Sequence, residues 1–257
     1  MSPPAQGPGG RGTTMWRTGF VVAVTAGLLL QASLLRAAKP EVFKTSQGDL
    51  EITPLKHASL MLAWKGMVIQ VDPVGDSTDY GSLPKARLVL ITHAHSDHLD
   101  PAAAARVTAA GTEVILTEKS QDKLAGTVMK NGETRTVDGI RIDAVPAYNL
   151  VHMRSPNVPF HPRGEGNGYV LTFGDVRVYV AGDTENIPEM KDLKDIDVAF
   201  LPMNLPYTMT PEMAADAARS FRPKVVYPYH YRGTDPQKLA DLLKGEKGIE
   251  VRIREFY

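Results

Sequence analysis

The stretch His93-Ala94-His95-Ser96-Asp97-His98 gathers four good metal ligands, His93, His95, Asp97 and His98, within six residues. Imidazole nitrogens and a carboxylate oxygen suit a borderline cation such as zinc. Where the chain stays extended, His93 and His95 point to the same side, because side chains at i and i+2 share a face. Asp97 and His98 then face the other side, so that one turn can hold two metals. A polar turn with chance histidines is the plain alternative, and it accounts poorly for so dense a group in an otherwise ordinary composition. The chemistry open to the cluster is hydrolysis, since paired cations make water nucleophilic near neutral pH and polarise the bond under attack.

The flanking residues say how such a turn is held. Arg87 to Thr92 is a short apolar run that reads as a buried strand. Leu99-Asp100-Pro101-Ala102 reads as a helix start, with Asp100 as the cap and Pro101 at the first helical position.

On these residues the sequence resembles the metallo-β-lactamase-fold hydrolases, whose signature is HxHxDH after a strand. The resemblance implies an α/β (α+β) fold, an αββα sandwich in a single domain, with a one- or two-metal site on its edge. It covers nearly all of residues 45–257 and is nearest in tone to the branch of ascorbate-phosphate lactonases and phospholipase-D-like phosphodiesterases.

Composition sets the outer bounds. The 257 residues carry 29 Lys plus Arg and 29 Asp plus Glu, so no overall field favours nucleic acid. The absence of cysteine excludes disulfides, a thiol nucleophile and thiolate ligands. Residues 1–40 read as a disordered start followed by a signal peptide or membrane anchor. Arg17 supplies a positive charge, Phe20 to Leu35 is apolar, and Ala37 and Ala38 offer small residues for cleavage. The run is shorter than the roughly 20 residues a spanning helix prefers, which favours export to the periplasm or the exterior. A membrane is a partner only if the segment stays uncleaved. Residues 41–257 form the expected hydrolase domain.

Within that domain, Leu50 to Pro54 and Met67 to Asp72 read as strands. His57 between them reads as a packing or supporting histidine, and the resemblance implies that Asp72 ends its strand near the metal turn and orients a ligand histidine. Helices are expected over Ala102 to Ala110, Lys119 to Ala125 and Pro236 to Leu243, and a closing strand over Glu250 to Arg254.

The resemblance implies further ligands. Asp183 in Ala181-Gly182-Asp183-Thr184 matches the carboxylate that bridges two metals, and His230, at the end of the apolar strand Lys224 to Tyr229, matches the histidine that completes the second site. Relatives place a third histidine for the first site two residues after a Pro-Ala pair, where this chain has Asn149 after Pro146-Ala147. His161 in Pro159-Phe160-His161-Pro162 is the candidate substitute; the alternatives are that Asn149 or water fills the place, or that neither does. His152 reads as an exposed loop residue. Asn149, Tyr207 and Arg163 are candidate substrate contacts, and Arg154 could clamp an anion alongside Arg163, although a solvated charge is as good a reading of either arginine.

The expected function is a metal-dependent hydrolase acting on an ester, lactone or phosphodiester of a small molecule, with Asp97 also orienting the nucleophile. Two zinc ions per chain are expected, with manganese or iron accepted by the same ligands. A catalytically inert metal-binding module of the same fold is the alternative, supported by Asn149.

Overall fold

Alternation of apolar residues every second position is what turns this chain into two facing sheets. The computed structural model describes residues 1–2, 40–75 and 78–256. The expected signal or anchor segment, residues 20–35, lies outside the described residues. Among the described residues no helix is long and apolar enough to cross a membrane.

The first sheet holds β1 (Glu41–Thr45), β2 (Gly48–Pro54), β3 (Leu60–Trp64), β4 (Met67–Val71), β5 (Leu88–Leu90), β6 (Glu113–Leu116) and β7 (Thr127–Val128) in chain order. Between β5 and β6 lies helix α1 (Pro101–Val107). The second sheet is built from β8 (Thr134–Val137), β9 (Ile140–Ala147), β12 (Gly166–Phe173), β13 (Val176–Val180), β14 (Val198–Pro202), β15 (Val225–Tyr229) and β16 (Glu250–Val251). Their spatial order is β16-β15-β14-β13-β12-β9-β8. A separate small hairpin pairs β10 (Met153–Ser155) with β11 (Val158–Pro159). Helix α2 (Pro211–Phe221) joins β14 to β15, and α3 (Gln237–Leu242) joins β15 to β16.

The two sheets share one pairing scheme. In the first, β1 to β4 pair antiparallel and β4 to β7 pair parallel. In the second, β8, β9, β12 and β13 pair antiparallel and β13 to β16 pair parallel.

Period-two alternation sorts the residues into layers. Leu88 and Leu90 join the core between the sheets with Leu62, Trp64, Ile69, Leu171, Phe173, Val178 and Phe200. Val89 and Ile91, one position out of phase, meet Ala103 and Val107 of α1 on the outer face. On the far side, Val170, Tyr179, Ala199 and Leu201 meet Ala214, Ala218 and Phe221 of α2. The result is an α-β-β-α sandwich in which each fully buried large apolar side chain contributes about 1.5–3 kcal/mol.

Capping follows the sequence. Asp100 accepts from the backbone N–H groups of Ala102 and Ala103 at 2.8 and 3.3 Å, and Thr210 caps α2 by accepting from Met213 N at 3.1 Å. Elsewhere the elements are shorter than the pattern suggests. The turn expected as a helix over 119–125 is a 3-10 helix at Glu118–Asp122, and the closing strand spans only Glu250–Val251. Strands β1, β3, β7, β10 and β11 were not anticipated.

Candidate metal centre

Because β4 and β5 run parallel, as do β13, β14 and β15, their C-terminal ends lie on a common edge of their sheets. The chemistry-bearing residues follow those ends. Asp72 follows β4, His93 to His98 follow β5, Asp183 follows β13, Asn204 follows β14 and His230 follows β15.

Asp72 anchors the turn after β5. It is fully buried and accepts from Thr92 N at 2.8 Å and Thr92 Oγ1 at 2.6 Å, while its Oδ2 faces His98 Nδ1 at 2.8 Å. That contact turns the other nitrogen of His98 inward. The turn carrying Asp183 is set by Gly182, whose φ is +66° and where a Cβ would come within 2.8 Å of the Asn167 carbonyl oxygen. Gly182 N donates to Tyr229 Oη at 2.9 Å. His57, Asp72 and His230 all adopt left-handed φ values, +59°, +44° and +46°, at a cost of roughly 1–3 kcal/mol each that the surrounding structure must offset.

The side chains converge. His93 Nε2 lies 3.1 Å from His95 Nδ1 and 3.9 Å from Asp183 Oδ2. His161 Nε2 lies 3.2 Å from Asp183 Oδ2, and His230 Nε2 lies 3.5 Å from the same oxygen. His98 Nε2 is 3.2 Å from Asp183 Oδ1, and Asp97 Oδ2 is 3.4 Å from His230 Nε2 and 3.1 Å from His57 Nε2. Three groups therefore offer ligand atoms within 4.8 Å of one another: His93, His95 and His161; His93, His98 and Asp183; and His57, Asp97, His98 and His230.

This donor set fits a cation. His98 Nε2, His230 Nε2 and Asp183 Oδ1 are buried and make no hydrogen bond, an arrangement that is costly unless a positive centre satisfies it. Burial holds the imidazoles of His93 and His95 below their ordinary range, His95 at about 4, so their lone pairs are free at neutral pH. Burial acts against the charge of Asp97 and Asp183, but the histidines outweigh it and keep both carboxyls ionised, His230 and His57 acting on Asp97 and His230 and His98 on Asp183.

Asn149 takes no place among the ligand atoms. Its Oδ1 accepts from His161 N and His161 Nδ1, and its Nδ2 donates to Glu185 Oε1 and the Tyr207 carbonyl. Every polar position of the amide is occupied, which leaves none for substrate. Arg163 is likewise turned elsewhere, with Nη2 2.6 Å from Glu189 Oε1 and its guanidinium over the Tyr148 ring. Tyr207 does line the cleft above the cluster, a space of about 1470 Å³ that also borders Arg154, Phe160 and Asn204. His152 is half-buried, with Nδ1 2.8 Å from Glu185 Oε1.

Sequence reasoning missed Glu185. This buried carboxylate accepts from the backbone N–H groups of Leu150, Val151 and His152, each at 2.7 Å, and so shapes the loop that presents His161. It stands two residues after Asp183, on the same buried turn, which was the available signal.

Comparison with known proteins agrees with this architecture. Residues 51–230 match the model of a β-lactamase superfamily domain. A UPF0173 metal-dependent hydrolase of Methanoculleus marisnigri is 36% identical over 187 residues, spanning 71% of this chain and 81% of the relative. A crystal structure from Parabacteroides distasonis, provisionally described as a metal-dependent hydrolase, shares 55% identity at a TM-score of 0.81, covering 86% of this chain and all of that one. A metallo-hydrolase of Ignicoccus hospitalis shares 26% identity at a TM-score of 0.65, covering 80% of this chain and 95% of that one. The chain has the metallo-β-lactamase fold and belongs to the β-lactamase superfamily and, within it, to the UPF0173 family of metal-dependent hydrolases.

Proposed function

We propose that the protein is a hydrolase that uses two divalent cations, zinc by the chemistry of the ligands, to direct water onto an ester, lactone or phosphodiester of a small molecule. The observation that carries this reading is the convergence, at the cluster, of buried imidazole nitrogens and a carboxylate oxygen with no hydrogen-bond partner. In the proposal His93, His95 and His161 hold one cation, Asp97, His98 and His230 hold the other, and Asp183 lies between. Cations held there would lower the pKa of a bound water toward about 7 and polarise the scissile group.

The remaining work falls to the chain itself. Asp97 is half exposed and lines the cleft, so its carboxylate can orient the attacking water by accepting a hydrogen bond from it. His57 Nε2, at 3.1 Å, fixes the Asp97 carboxylate. Asp72 keeps His98 in one orientation. No Ser or Cys nucleophile is required. The inert alternative rests on Asn149; His161 Nε2, 3.2 Å from Asp183 Oδ2, supports the hydrolase reading instead.

Elemental analysis of the purified protein tests the reading, run on wild type and His161→Ala in parallel. Two metals per chain, falling toward one in the variant, are expected. One metal or none in both proteins would sink it. Export through residues 20–35 is proposed alongside, on sequence alone, and N-terminal sequencing of the mature protein tests that part.

A further inference from the structure

Arg154 sits on β10, and its guanidinium reaches into the cleft beside the metal cluster, whereas its neighbours Met153 and Ser155 do not line the cleft. The group is held in place. Its Nη2 donates to the Phe160 carbonyl at 3.5 Å, the guanidinium lies 6.0 Å from the Phe160 ring centroid, and that ring packs edge-on against Tyr207 at 5.0 Å. Arg163, Arg219 and Arg252 are each paired with a carboxylate. Among the described residues no carboxylate is paired with Arg154.

The same Nη2 stands 3.4 Å from His95 Nε2. His95 turns Nδ1 toward His93 Nε2 at 3.1 Å, into the cluster. With Nδ1 as the ligand atom, the ring proton belongs on Nε2, so both atoms facing each other across 3.4 Å are donors. Two donors cannot satisfy one another. An oxyanion placed against both would accept from each, and a guanidinium fork suits a carboxylate or a phosphate.

We infer that Arg154 and the Nε2–H of His95 form a binding site for an oxyanion carried by the substrate next to its scissile bond. This rests on the hydrolase reading above and narrows it to anionic substrates. Arg154 here is a specificity residue, separate from the groups that act on water.

The test uses the zinc-loaded full chain as wild type, Arg154→Ala and Arg154→Lys. Inorganic phosphate and succinate are titrated separately by calorimetry, with zinc content measured in each protein. The expected result is a loss of affinity of about ten-fold or more for one of the two anions in Arg154→Ala, partial recovery in Arg154→Lys, and unchanged zinc. The anion that responds tells phosphate from carboxylate. Equal affinity in wild type and Arg154→Ala for both anions, or no binding of either, overturns the inference. Hydrolysis of 4-nitrophenyl acetate and of mono-4-nitrophenyl succinate gives a second readout. KM for the charged ester should rise in Arg154→Ala while the neutral ester is unaffected; an equal change for both esters counts against the site. If neither ester is cleaved by the loaded protein and anion binding still depends on Arg154, the oxyanion site stands and the hydrolase reading falls.

Discussion

Asn149 Oδ1 accepts two hydrogen bonds from one residue, from the backbone N of His161 at 2.8 Å and from its Nδ1 at 2.7 Å. Holding both atoms fixes the ring and leaves Nε2 aimed at Asp183. A position expected to bear a histidine thus bears the residue that orients one. Asn149→Ala should weaken binding of one metal per chain by about 10- to 100-fold while sparing the other, the usual cost of losing a partner that orients a ligand. Competition with a chelator would read this directly. Two equally weakened metals, or none, would contradict it.

Asp72 should matter for both metal and fold. It gathers Thr92 N, Thr92 Oγ1 and His98 Nδ1 without solvent contact. Replacing it by alanine strands buried donors, so Asp72→Ala should lower the stability of the metal-free protein by about 2–4 kcal/mol. Urea unfolding measures this. A change within error would mean that water fills the gap at little cost.

Glu185 links the loop to acidity. Burial raises its carboxyl, but the N–H donors of His152, Leu150 and Val151 and the Asn149 amide outweigh burial and hold it below the usual range. A carboxylate lowered on folding adds stability that is complete above its unfolded value of about 4.5 and disappears as pH falls through the depressed folded value. Amide hydrogen exchange at Leu150 to His152 should stay protected at about pH 5 and lose protection in stronger acid. Glu185→Gln should remove that protection already at neutral pH.

His93 and His95 act in the opposite sense to a charged pair. Burial lowers both, His95 to about 4, so the unfolded chain takes up protons below its ordinary 6.5 that the folded chain refuses. The contribution of these rings is therefore whole above about 6.5 and shrinks as pH drops toward 4. Melting of the metal-free protein should shift to lower temperature across this window, and His95→Gln should flatten the slope.

His98 gives a calorimetric signature. Burial lowers its imidazole, but Asp183 and Asp72 overcome that and raise it well above the ordinary range. A cation arriving at Nε2 at neutral pH must displace that proton, so zinc titrations in buffers of different ionisation enthalpy should report release of about one proton. Heats independent of buffer would show His98 neutral beforehand.

Much of this was legible because ligands stand at the ends of apolar strands. Val176 to Val180 announces Asp183, and Val225 to Tyr229 announces His230. Asp72 could be read as an orienting group for the same reason, and it meets His98. Arg163 was illegible, because a loop arginine carries no sign of which carboxylate it will find, and Glu189 reaches it first. His57 was legible as a packing or supporting histidine, but its position against Asp97 was not, for another reason. Its place depends on a left-handed backbone and on the exchange of its N–H with Phe256 O and its carbonyl with His230 N, contacts about 200 residues apart in sequence that no local pattern encodes.

The matching strand schemes of the two sheets carry a consequence for assembly. Asp72 and Asp183 follow counterpart strands, β4 and β13, each the first of its parallel set. One half of the chain brings Asp97 and His98, the other Asp183 and His230, so the site is a seam and belongs to neither half. A chain cut in the connection between β7 and β8 would yield two pieces, each with an incomplete set of donors and one exposed sheet face. Such pieces would have a reason to recombine that grows with the metal supplied to them.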